Sequence, residues 1–134
     1  MNRNYLKIFY LLAGIGGFLF FTWTGRYLLF SYPDKESLDM GFRVMLRSRH
    51  IFLLLFSLLE IGIGVYIRPA GGMILQGVQI LATLLIISAH ASFAYGFFYE
   101  TAVETIPQTP VIHQAAYLAV AGIFLHLLTV FEKK

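Results

Sequence analysis

Four histidines and one acidic residue lie within strongly apolar stretches of this 134-residue chain, and these side chains have the most chemistry to offer. The histidines are His50, His90, His113 and His126, and the acid is Glu60. A neutral imidazole can ligate a haem iron or a divalent metal, and a carboxyl group inside a membrane can bind and release a proton. The pattern therefore indicates either ligation or proton transfer.

The elements that must position these groups are four apolar runs, each of which reaches the about 20 residues that a helix needs to cross a membrane. They cover roughly residues 6–30, 48–67, 73–98 and 110–131. Apolar residues make up 58% of the chain and charged residues 13%, which is typical of an integral membrane protein. We predict a single all-α domain over residues 1–134, an up-down four-helix transmembrane bundle.

Several function classes lack support in the sequence. The chain has no cysteine, which excludes disulfides, thiolate metal sites and thiol redox chemistry. No Lys/Arg run is interleaved with aromatic residues, so we expect no nucleic-acid partner. Hydrolase, zincin and nucleotide-binding motifs are absent, which favours a protein that is not an enzyme. The expected partners are the lipid bilayer and either other membrane subunits or further copies of the chain.

Alternating spans place both chain termini and Arg68 on one side of the membrane, here called the termini side. The first and third loops lie on the other side, the loop side. Cations divide almost evenly, but the acids Asp34, Glu36, Asp39, Glu100 and Glu104 all belong to the loop side. This distribution predicts that the termini are cytoplasmic.

Three of the histidines belong to the loop-side half of the bundle. His50 opens span two, His90 lies about two turns before the end of span three, and His113 lies in the first turn of span four. They could ligate haem b or a divalent metal, with His90 as the first ligand and either of the others as the second. The arginines at the same depth, which could pair with haem propionates, are Arg26, Arg47 and Arg49.

A plainer interpretation stands beside this one. His50 and His113 could be hydrated interface residues, and His90 a buried histidine bonded to a hydroxyl or carbonyl group. Arg26 could extend its side chain to the lipid headgroups. His126 lies in a stretch of small residues, where an interhelical hydrogen bond is the expected role.

Glu60 shares one helix face with His50 and Ser57, so its carboxyl group should point into the bundle. An unpaired charge at the membrane centre costs about 2.5–3.5 kcal/mol on insertion scales, so Glu60 should be protonated or paired. Span three carries a polar stripe of residues within about 60° of one another on a helix: Gln76, Gln79, Thr83 and His90. We expect Thr83 or Gln79 to be the partner of Glu60, either in a proton relay or in a hydrogen bond that holds the two helices together.

Small residues indicate where helices can approach closely: Gly14, Gly17, Ala115, Ala119 and Gly122. They support a third hypothesis, a structural membrane subunit without a cofactor. The leading hypothesis is a redox or accessory protein that binds haem b or a metal. The alternative is a small proton-coupled carrier or channel that uses Glu60.

Two resemblances accompany these hypotheses. The segment Arg47-Ser48-Arg49-His50-Ile51, followed by a leucine-rich run and by Gly62-x-Gly64-x-Tyr66, resembles small uncharacterised four-span bacterial membrane proteins. It implies a four-helix bundle in the bacterial cytoplasmic membrane. The stretches TWTGRYLLFSY, residues 22–32, and FRVML, residues 42–46, are similar to the first half of four-span haem-biosynthesis membrane oxidases with b-type haem. Span four lacks that family's charged pattern, so no ligand is carried over.

Overall fold

The computed structural model describes residues 4–34, 36–99 and 110–130. It contains the helices α1 (Asn4–Ser31), α2 (Met40–Tyr66), α3 (Met73–Tyr99) and α4 (Pro110–Val130), with no strand in these ranges. Each helix is long and apolar enough to cross a membrane. The predicted all-α four-helix transmembrane bundle is therefore confirmed, and the chain is an integral membrane protein. Glu100 and Glu104, which contributed to the orientation prediction, lie outside the described residues.

Helix α2 begins at Met40, before the apolar run itself, because Asp39 caps it. The Asp39 Oδ2 atom accepts hydrogen bonds from the backbone N–H groups of Gly41, at 2.7 Å, and Phe42, at 3.2 Å. A carboxylate in this position satisfies donors that the first turn of a helix leaves unpaired. The helix ends at Tyr66, and Pro69 follows in the connector to α3.

The bundle consists of two closely packed helix pairs, α1 with α2 and α3 with α4. Glycine permits this proximity. A Cβ atom at Gly14 would lie 2.7 Å from the Ser57 carbonyl oxygen and 2.8 Å from the Ile61 nitrogen, so α1 and α2 meet backbone to backbone. At Gly122 the corresponding distance to the Ala82 carbonyl oxygen is 3.0 Å. The predicted packing role of Gly14 and Gly122 is confirmed.

Contact between α2 and α3 is less extensive and is made by side chains. The Phe93 ring packs on Phe52 and Phe56, with ring centroids 5.2 and 5.0 Å apart. Leu53 and Ala89 complete the buried core at this level. We call this boundary the α2–α3 seam. Among the described residues no glycine brings the backbones of α2 and α3 together, so the seam is interlocked less tightly than the α1–α2 and α3–α4 contacts.

Two glutamines at the start of α3 hold the connector that joins α2 to it. Gln79 donates from Nε2 to the Arg68 carbonyl oxygen, at 2.9 Å, and accepts from the Ala70 N–H group, at 3.3 Å. Gln76 donates to the Ala70 carbonyl oxygen, at 3.0 Å. Both amides were expected to line a polar interior beside Glu60. Their hydrogen bonds are instead made to the connector, because its breaker-rich backbone leaves groups that need partners.

The outer surface of the bundle is apolar on every helix. Large exposed side chains include Leu19 on α1, Leu55 on α2, Leu84 on α3 and Phe124 on α4. Such surfaces are stable against lipid acyl chains, so the predicted contact with the bilayer is shown.

We predict that Gly14→Ala destabilises the protein by about 1–3 kcal/mol, because the added methyl group meets backbone atoms of α2 that cannot rotate away. Unfolding by increasing amounts of SDS in mixed micelles measures the change. Gly16→Ala is the matched control, since nothing lies within 4 Å of a Cβ atom there. Equal stability of the two variants would contradict the close contact.

Candidate functional site: a buried carboxyl–imidazole pair

Glu60 and His90 form a buried pair across the α2–α3 seam. The Nδ1 atom of His90 lies 2.9 Å from both carboxyl oxygens of Glu60. Glu60 is 0% exposed and His90 is 8% exposed. A single proton shared by the two groups gives either a carboxylate with an imidazolium or a carboxylic acid with a neutral imidazole. Both forms are neutral overall, so the apolar bundle tolerates the pair.

The expectation that span three supplies the partner of Glu60 is correct, but the predicted residues Thr83 and Gln79 are not that partner. The hydroxyl of Thr83 donates to the Gln79 carbonyl oxygen, at 2.7 Å. Gln79 is occupied by the connector. His90 lies on the same face of α3 farther along, and the Glu60 carboxyl group contacts it.

The His90 ring is enclosed on its other sides. Phe56 stacks against it with ring centroids 5.7 Å apart. A Cβ atom at Gly17 would lie 2.9 Å from His90 Nε2 and 2.6 Å from the Ser57 Oγ atom, and it would overlap His90 Cε1. Gly17 therefore does more than pack two helices. It lets the backbone of α1 form one wall of the imidazole site.

Three polar side chains extend the site toward the termini side. Tyr10 is 0% exposed, and its ring lies 6.1 Å from that of His126 on α4. Its surroundings include the Thr83 hydroxyl and the Glu60 carboxyl group. Within the described part of the chain, neither the Tyr10 hydroxyl nor His126 Nδ1 makes a hydrogen bond of accepted length and angle, although the Thr83 hydroxyl is near enough to interact with that of Tyr10. All four helices thus contribute to one polar cluster inside the bundle, which we define as Tyr10, Glu60, Thr83, His90 and His126; the first four are buried and His126 is half-buried.

Tyr10 did not emerge from the sequence as a site residue. A tyrosine in an apolar span is ordinarily a packing or interfacial side chain. One signal did exist, because positions 10, 14 and 17 are spaced as one helix face, and Gly14 and Gly17 had marked that face as a contact surface. The hydrogen bond expected of His126 is not present at Nδ1, which is buried without a partner in the described residues.

The loop-side candidates lie apart from this cluster. His50 precedes Glu60 by ten residues on α2, which corresponds to about 15 Å along a helix. Its ring stacks on Phe21 at 4.1 Å, and Nδ1 lies 3.2 Å from the Thr24 Oγ1 atom. Its environment is therefore built by α1, and His50 does not approach His90. His113 is exposed in the first turn of α4.

The three predicted arginines differ in burial. Arg26 and Arg47 are exposed, whereas Arg49 is 3% exposed and donates from Nη1 to the Gly96 carbonyl oxygen, at 3.0 Å. Arg49 thereby forms a second polar link across the seam, nearer the loop side. A guanidinium group bound to a carbonyl keeps its charge stabilised within the bundle. The structure does not bring the arginines together around one site.

The predicted metal or haem ligation stays a prediction, and the packing around His90 bears on it. Across residues 4–34, 36–99 and 110–130, no group of three histidine or acidic side chains could hold a metal ion. A haem on His90 would have to bind Nε2, because Nδ1 faces Glu60, and Nε2 is packed against the backbone at Gly17. The residues present do not fit a porphyrin at this position. Ligation by His90, His50 or His113 remains a prediction that this packing does not favour.

Comparison with known proteins adds no assignment, because no protein-family model, curated protein or solved structure matches the chain. The two resemblances drawn from short sequence segments therefore remain predictions.

Removal of either member of the pair should strongly destabilise the protein. We expect Glu60→Ala and His90→Ala each to cost on the order of 3–5 kcal/mol, since each leaves a buried polar group unpaired. The double variant should lose less than the sum of the single losses. SDS unfolding of all three variants measures the coupling, with the exposed Ser88→Ala on α3 as a control. Strictly additive losses would mean that the two groups do not interact.

The haem prediction has its own test. Addition of haem b to the purified protein in detergent should give no stoichiometric shift of the Soret band, because Gly17 blocks access to His90 Nε2. A stoichiometric shift that disappears in His90→Ala would show that the bundle opens to bind haem. That result would restore the cofactor hypothesis.

Proposed function

We propose that this chain is a small proton-coupled membrane carrier or channel whose protonatable centre is the Glu60–His90 pair. The observation that carries the proposal is the 2.9 Å contact between two ionisable side chains in the interior of an apolar bundle. Ionisable groups inside a membrane are costly and commonly belong to ion pathways or proton relays. A pair that served only to bind two helices could be replaced by apolar residues at little cost.

The net charge of the Glu60–His90 pair determines how proton binding could be coupled to a movement of the helices. With one shared proton the pair is neutral. A second proton gives a carboxylic acid beside an imidazolium, with a net charge of +1 in surroundings of low polarity. That charge is unfavourable unless water, a counter-ion or a rearrangement of the helices stabilises it. Proton binding therefore favours any conformation in which the pair is better hydrated.

The α2–α3 seam is the place where that rearrangement would occur. Glycine contacts interlock α1 with α2 and α3 with α4, whereas the seam is joined by side chains and polar links. The links are Arg49 to Gly96, Glu60 to His90, and Gln79 to the connector. A change in the protonation of the Glu60–His90 pair alters the middle of these three polar links. Two stiff helix pairs that tilt about a weaker seam would expose the pair to one side and then the other.

We also infer the orientation of the chain in the membrane and its assembly. We infer that the termini face the cytoplasm, from the excess of acids on the loop side, and that the membrane is the bacterial cytoplasmic membrane, from the sequence resemblance. The interior between the helices is filled by side chains such as Leu53, Phe56 and Phe93. Because little room is left for a solute within one bundle, we infer a homo-oligomer or an assembly with other membrane subunits.

A protonatable centre must change its protonation with pH, and this provides the test. Infrared difference spectra of the protein in lipid, recorded between mildly alkaline and mildly acidic buffer, should show a carboxylic C=O band that Glu60→Gln removes. Glu36→Gln, which changes an exposed acid in the first loop, should retain the band. An identical spectrum for wild type and Glu60→Gln would refute the proposal, because Glu60 would then not titrate.

A further inference from the structure

The termini-side part of the polar cluster contains two polar atoms that the Glu60–His90 pair does not use. The Tyr10 hydroxyl and His126 Nδ1 are both buried, and neither makes a hydrogen bond of accepted length and angle to the described residues. Buried polar atoms in folded proteins are nearly always paired with protein groups or with ordered water. Two such atoms on rings that lie 6.1 Å apart therefore indicate something that the protein chain itself does not supply.

We propose that Tyr10 and His126 bind water and form the termini-side proton entry to Glu60. This inference rests on the proposed function and extends it by assigning a route and a direction. Water is the ligand that fits, because it can donate to the imidazole nitrogen and to the phenol oxygen and still accept a proton. A larger solute would have to displace the side chains that already fill the interior.

Packing alone does not account for Tyr10. Its ring is fully buried and could be provided by phenylalanine, without the desolvation cost of an unpaired hydroxyl group. The hydroxyl interacts with the Thr83 side chain and, electrostatically, with the Glu60 carboxyl group. It therefore occupies the position that a relay between His126 and Glu60 requires.

The transfer step conserves every proton. A hydronium ion from the termini side gives one proton to the bound water. That water gives a proton to the Tyr10 oxygen as the phenol releases its own proton to a second bound water. The second water gives a proton to the Glu60 carboxylate, because the phenol and the carboxylate make no direct hydrogen bond. The phenol is neutral before and after the step, and Glu60 becomes a carboxylic acid. No heavy-atom bond changes and no electron is transferred. Because the phenol must release a proton, phenylalanine cannot replace tyrosine in this step.

The test is the rate at which Glu60 is protonated after a rapid drop in pH, followed by time-resolved infrared absorption of its C=O band. We expect Tyr10→Phe to slow the appearance of the band by at least about tenfold while its final amplitude is unchanged. His126→Phe, which keeps an aromatic ring in place, should slow it as well. Tyr117→Phe on α4 is the control, because that side chain is 76% exposed.

The outcomes separate this inference from the proposed function. If wild type shows no Glu60 band, the proposed function fails. If the band appears in wild type and equally fast in Tyr10→Phe and His126→Phe, the proton reaches Glu60 by another route and only this inference is overturned. SDS unfolding of Tyr10→Phe provides a second measurement. Stability equal to or above that of wild type, together with a slower band, supports a relay and excludes general unfolding as the cause.

Discussion

A carboxyl group in the interior of a membrane bundle needs a partner, and much of this structure follows from satisfying Glu60. Its partner His90 comes from the neighbouring helix, so the contact fixes the depth at which α2 and α3 face each other. The imidazole ring then has to fit between three helices. Only glycine at position 17 leaves α1 close enough to enclose it, because a larger residue would overlap the ring. The electrostatic requirement of Glu60 on α2, met by His90 on α3, therefore determines which residue stands at position 17 of a third helix, α1.

The two kinds of helix contact differ in what they permit. Backbone-to-backbone contacts at Gly14 and Gly122 tolerate almost no displacement, because a small shift either separates the helices or makes their atoms overlap. Polar links across the seam are few and directional, so they can break and form again. An arrangement with stiff pairs and a switchable boundary is the kind of bistable element through which binding at one point moves a whole structure.

The fold was largely predictable because a membrane imposes a length and a polarity on each span, and both appear directly in the sequence. The inward face of Glu60 was predictable from helical periodicity. Its partner was not. Periodicity places Gln79, Thr83 and His90 on one face of α3, but it does not give the vertical offset between two helices. That offset depends on the connector, which Gln79 itself holds, and on side-chain packing at Phe93. The place of Tyr10 in the polar cluster was not predicted, because it depends on groups that lie on three other helices.

The depth of the buried pair also has an electrical consequence. Glu60 lies six residues from the end of α2, about 9 Å along the helix axis, and twenty residues from its beginning at Met40. A charge that reaches this depth from either side crosses only part of the transmembrane voltage, and a full crossing is worth about 2.3 kcal/mol per 100 mV. Under the proposed function, occupancy of the pair by a second proton would therefore depend on the membrane potential as well as on proton concentration. An energised membrane would bias the centre even when the pH is equal on both sides.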